Sequence, residues 1–104
     1  MIDPVELAAE LVRIKSLSGD EGDLAEFLIR TLRRFMAVEQ GPLGAVIAEI
    51  RNGKGPTVMF EGHMDTVPPG DEAAWSVPPF SGEERQGYLW GRGAVDMKLS
   101  LIHI

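Results

Sequence analysis

The sequence predicts an α/β fold in which two helices precede a mixed sheet. Three observations carry this expectation. Apolar residues recur at helical spacing up to about Phe35. Beyond Met36 the pattern shifts to short runs rich in Val and Ile, separated by "GPLG" and "RNGKG". Four of the seven prolines then fall in one stretch, Pro68, Pro69, Pro78 and Pro79, and mark a loop over residues 66–82. Helices followed by strands of this kind pack as layers around one core.

The first helix starts at Asp3-Pro4-Val5-Glu6, where Asp3 suits the cap, Pro4 the first helical position and Glu6 a capping box. Leu7, Ala8, Leu11, Val12 and Ile14 form its apolar stripe as far as about Lys15. "SLSGDE" breaks the pattern, and Ser18 with Glu21 offers a second capping box. Leu24, Phe27, Leu28, Thr31, Leu32 and Phe35 follow as the stripe of a second helix. Acidic residues crowd its start, and Arg30, Arg33 and Arg34 crowd its end, the favourable sense for the helix dipole. The runs "AVEQ", "AVIAEI" and "TVMFEG" read as three strands, the last ending just before His63. "FSGEERQGYLWG" reads as a hairpin turning at Gln86-Gly87.

Composition narrows the function. The 104 residues suffice for one small domain, and a net charge of −6 argues against a nucleic-acid partner. The absence of cysteine excludes disulfides and thiolate metal sites, leaving His, Asp and Glu as metal ligands. No signal peptide and no membrane-spanning apolar run are visible, so a cytoplasmic location without a membrane partner is the default expectation.

Three polar features stand near strand ends and loops: His63 with Asp65, Gly91-Arg92-Gly93, and Asp96. A neutral imidazole is a good zinc donor, and a carboxylate two residues on can accept its other ring N–H and hold it in place. His-x-Asp alone is short and common, and a histidine ending a strand is more often a plain polar residue. "GRGAVD" invites a dinucleotide reading, but Asp96 occupies the place of the third glycine and would repel a pyrophosphate. No Gly-x-Ser-x-Gly elbow occurs, which disfavours an α/β serine hydrolase; Ser16 and Ser18 read as turn and capping groups.

Together, "GHMDTVPPGDEAAWSVPPFSG" and "GYLWGRGAVDMK" resemble the zinc aminoacyl hydrolase family that includes acetylornithine deacetylase, succinyl-diaminopimelate desuccinylase and the glutamate carboxypeptidases. The resemblance runs from about Asp3 to Lys98, takes in "IKSLSGDE", and keeps the family's separation between His63 and Asp96. It implies the N-terminal part of a di-zinc exopeptidase-type catalytic domain over residues 1–98. By the same resemblance His63 ligates one zinc, Asp65 orients His63 as the catalytic-site carboxylate, and Asp96 bridges two zincs, with cobalt or manganese as possible substitutes. The peptide bond after the bridging aspartate, Asp96–Met97, is expected to be cis. Gly91, Arg92 and Gly93 shape the turn that delivers Asp96, with no catalytic role for Arg92. Trp75 and Phe80 are expected either beside the site or in the core.

The implied activity is hydrolysis of amide bonds in N-acyl amino acids or small peptides. The family's general base, remaining ligands and dimerising lid domain follow later in its pattern than Lys98, so this fragment by itself is expected to be inactive. The alternative is a non-catalytic binding domain that retains the fold. Residues 99–104, "LSLIHI", stand where the family has Gly-Gly and read as a non-native tail of the kind made by translating adapter DNA, so His103 is not counted as a ligand.

Overall fold

A computed structural model describes residues 2–98 and 100. Helix α1 spans Pro4–Arg13, with Pro4 at its first position and the Asp3 carboxylate accepting from the Val5 and Glu6 amides. This satisfies donors that a helix start leaves orphaned. Helix α2 spans Gly22–Leu32 and carries Asp23 in its first turn and Arg30 in its last. Its N-cap residue is Glu21, without a side-chain cap; the Ser18 hydroxyl is engaged elsewhere. The expected second capping box is therefore absent: Glu21 accepts from the Gly19 amide at 2.8 Å instead.

The helices pack through Leu11, Leu24 and Leu28, which are buried, with Ile14, Phe27, Leu32, Val46 and Met64 against them. Phe35, placed in the α2 stripe by its spacing, lies beyond the helix and is 53% exposed. Strands β1 (Ala37–Gln40) and β2 (Val46–Glu49) form an antiparallel hairpin closed by the Gly41 amide donating to the Ala45 carbonyl at 2.7 Å. Val46 and Ala48 face inward while Ile47 and Glu49 face out, the alternation of a strand covered on one side. Strands β3 (Glu83–Arg85) and β4 (Tyr88–Trp90) form a second antiparallel hairpin, turning at Gln86 and Gly87, both at positive φ. That is the two-residue hairpin geometry. Arg13 ties it to α1 by donating to the Ser81 and Gly82 carbonyls.

The strands thus pair as two separate antiparallel hairpins. Residues 57–62, expected to be a third strand, belong to no sheet among the described residues, and Val58, Met59 and Phe60 are more than 70% exposed. Val- and Ile-rich composition favours a pleated surface, but a strand exists only where a neighbour takes up its backbone groups. No helix among the described residues is long and apolar enough to cross a membrane. Of the tail 99–104, only Ser100 is described, so its native or non-native origin and the exclusion of His103 lie outside the described residues.

Candidate metal centre

The segment that carries His63 is fixed from below. Met64 packs against the Leu11–Leu24–Leu28 cluster, and in an extended chain its neighbours must then turn away from the core. His63 is accordingly exposed and Asp65 partly so. The segment runs beside the α1–α2 connection through a parallel bridge between Leu17 and Thr66. The Thr66 amide donates to the Ser16 carbonyl at 2.8 Å, and the buried Ser16 hydroxyl donates to the Met64 carbonyl at 2.9 Å.

Asp96 arrives from the other side, in the irregular turn Ala94–Lys98 that follows β4. The Arg92 amide donates to the Pro79 carbonyl at 2.7 Å and the Lys98 amide to the Gly93 carbonyl at 2.9 Å. Gly93 lies at φ 81, and a Cβ there would stand 2.4 Å from Thr66 Cγ2. Only glycine lets the turn close onto the His63 segment. Lys98 is buried, and its ammonium donates to the Ile14 carbonyl at 2.6 Å, just past the end of α1. Burial lowers its pKa to about 8. The Asp96–Met97 peptide bond is cis, and Met97 Sδ accepts from the His63 amide at 3.2 Å.

These anchors bring the two motifs together. His63 Nε2 lies 2.9 Å from Asp96 Oδ1. Its Nδ1 lies 3.0 Å from the Asp65 carbonyl and 3.2 Å from Asp65 Oδ1. The outer oxygen of Asp65 accepts from the Ser18 hydroxyl at 2.5 Å. A chain of contacts therefore runs Ser18, Asp65, His63, Asp96. The hydrogen bond to Asp96 raises the His63 pKa above its ordinary value, against a smaller opposing effect of burial, and the Ser18 hydroxyl lowers that of Asp65.

Both imidazole nitrogens thus face acceptors. Without a cation, satisfying both requires the doubly protonated ring; a metal at Nε2 replaces that proton and leaves Nδ1–H on Asp65. Two donors on one tetrahedral zinc stand roughly 3.3 Å apart, from metal–ligand distances of about 2.0–2.1 Å. The observed 2.9 Å needs only a small side-chain adjustment to match. The nitrogen and oxygen donor set fits zinc, although no group of three or more potential ligands occurs among the described residues.

A cavity of about 500 Å³ opens beside the pair, with Trp75, Trp90 and Arg92 in its walls. Trp75 therefore stands beside the site. Phe80 lies elsewhere, under the Lys15 ammonium at 5.3 Å. Sequence reasoning missed Ser18, which read as a helix cap, together with Met97 Sδ and the buried Lys98. The only sign for Ser18 was its place in "IKSLSGDE", since a hydroxyl's choice between a local amide and a distant carboxylate leaves no local trace.

A model of peptidase family M20/M25/M40 matches residues 59–104. The chain is 45% identical to a succinyl-diaminopimelate desuccinylase of Bradyrhizobium sp. (strain BTAi1 / ATCC BAA-1182), over 94% of this chain and 28% of that protein. It is 42% identical to the enzyme of the same name from Paracoccus denitrificans (strain Pd 1222), over 92% of this chain and 26% of that protein. The chain thus spans little more than a quarter of the length of these relatives. Both motifs lie inside the matched region, so the chain is similar to peptidase family M20/M25/M40 over residues 59–104 and to these desuccinylases over nearly all of its own length.

Proposed function

We propose that this chain forms part of the catalytic domain of a di-zinc amide hydrolase acting on N-acyl amino acids or small peptides. The relatives' names make an N-succinyl amino acid the first substrate to try. The observation that carries the reading is the 2.9 Å approach of His63 Nε2 to Asp96 Oδ1, with Asp65 behind Nδ1. In this reading His63 would hold one metal, and Asp96 would serve as a carboxylate ligand to both. Asp65 keeps the Nδ1 proton in place, so that Nε2 presents its lone pair, and Ser18 keeps Asp65 from turning away. When bound, the metals would polarise the scissile carbonyl and lower the pKa of a bound water to about 7. Cobalt or manganese would serve in place of zinc, and the whole protein would work in the cytoplasm, as a homodimer through a lid domain.

Two ligands do not close a zinc site, which takes three or four. The 104-residue chain should therefore bind zinc or cobalt weakly, through His63 and Asp96, and hydrolyse nothing on its own. Calorimetric and NMR titration with zinc checks this: small saturable shifts at His63 that vanish in Asp96→Ala support the reading. Zinc that leaves the His63 ring unmoved overturns it. For activity, a full-length relative such as the Paracoccus denitrificans desuccinylase, carrying residues 1–98 of this chain in place of its matching segment, should release succinate from N-succinyl amino acids, and Asp96→Ala in that chimera should abolish turnover.

A further inference from the structure

The metal reading gives no task to Arg92, yet this residue is held with care. Its amide is fixed on the Pro79 carbonyl, and its guanidinium stacks over the Trp75 ring at 5.1 Å. The ring is itself pinned, since Trp75 Nε1 donates to the Pro69 carbonyl at 3.0 Å. Arg92 Nε is buried and has no acceptor among the described residues. None of the ion pairs among the described residues involves Arg92. A half-buried cation with an unmet donor is costly unless an anion answers it. Both Arg92 and Trp75 line the cavity that also contains His63 and Asp96.

We propose that Arg92, braced on Trp75, is the carboxylate-binding subsite of this cavity and seats a carboxylate of the substrate next to His63 and Asp96. The planar guanidinium matches a carboxylate with two parallel N–H donors, which an ammonium cannot do. Stacking on Trp75 covers one face and fixes the plane of the fork, so less side-chain freedom is lost on binding. The remaining walls, including Tyr88 and Trp90, are largely apolar, so the arginine is the group that sets orientation. The choice of ligand class rests on the amide-hydrolase reading, whereas the binding itself requires no metal.

The test uses the metal-free chain in chelator at constant ionic strength, followed by NMR at the Trp75 indole and Arg92 Nε–H signals. Succinate is the probe, with succinamide as its neutral isostere and inorganic phosphate as a second anion. Succinate should shift both signals saturably in the millimolar range, while succinamide leaves them in place and phosphate binds more weakly. Arg92→Gln should weaken succinate about tenfold, Arg92→Lys should recover part of the loss, and Arg33→Gln on the α2 side should change nothing. Succinamide acting like succinate, phosphate binding equally well, or retention of affinity in Arg92→Gln overturns the proposal. A parallel zinc titration read at His63 separates the two ideas: zinc shifts without succinate binding sink the subsite alone, and succinate binding without zinc shifts sinks the metal reading alone.

Discussion

Residues 51–62 and residues 63–66 are consecutive in the chain and opposite in character. The first stretch is exposed at every position, belongs to no helix or strand, and shows Val58, Met59 and Phe60 to solvent. The second is also outside any named strand, yet it is tied by Ser16, Ser18, Met97 and the core contact of Met64. The difference is one of partners. Apolar, β-prone residues without a neighbour leave a segment open, whereas four polar and apolar side chains with long-range partners hold a segment of no regular structure. The order of the site comes from the α1–α2 connection and the turn after β4, and owes nothing to the run that leads into it.

Substitutions can break that contrast on its ordered side. Gly93→Ala should cause the largest effect, about 2–4 kcal/mol of lost stability in urea unfolding, because its Cβ meets Thr66 at 2.4 Å in a positive-φ turn. Gly53→Ala is the matching control: Gly53 shares a positive φ, 87°, but has open space around it, so the loss should be about 1 kcal/mol. Next is the pH dependence from Lys98. Its pKa falls from 10.5 to about 8 on folding, so between these values the unfolded chain holds a proton that the folded chain has lost. Stability should therefore rise with pH across that window, by on the order of 2 kcal/mol, and Lys98→Met should flatten the rise.

Smaller effects separate the two stretches directly. Ser16→Ala should cost about 1 kcal/mol, since it leaves the partly buried Met64 carbonyl without the hydroxyl that the buried Ser16 donates. Phe60→Ser, a larger chemical change, should stay within about 0.5 kcal/mol and improve solubility, because Phe60 is 72% exposed. Last comes His63. Its raised pKa means that pairing with Asp96 stabilises fully below pH 6.5 and is lost as pH climbs through the folded-state value. His63 is half-exposed and Asp96 largely exposed, so the pair is screened and the stability change should be a few tenths of a kcal/mol at most. NMR titration of the imidazole should show the upward shift, and Asp96→Asn should reduce it.

Local signals were legible where the structure obeys them locally. Asp3 and Pro4 mark the start of α1, and Gln86-Gly87 marks the β3–β4 turn. His63, Asp65 and Asp96 were singled out by residue type and by resemblance, and the structure brings each carboxylate residue within hydrogen-bonding distance of the His63 ring. What sequence did not disclose was partnership across distance. "TVMFEG" has strand composition and no strand beside it among the described residues. Ser18 has capping chemistry but bonds Asp65, 47 positions away. Lys98 has no local sign of burial, yet it lies buried on the Ile14 carbonyl, 84 positions away. Each outcome was decided by which remote group was available, and nearby residues do not encode that.

The Ser16–Ser18 connection also fixes what could be moved as a unit. The family model's match starts at residue 59, which makes 59–98 look like a portable cassette containing His63, Asp65 and Asp96. Cut there, the cassette would leave behind Ser16, Ser18 and the Ile14 carbonyl, and with them the groups that fasten Met64, Asp65 and Lys98. Anyone grafting this site onto a new scaffold must supply a second strand of chain beside Thr66 that offers a hydroxyl to Asp65. The smallest transplantable part is two pieces of backbone held in register, and the shorter piece contains none of the proposed ligands.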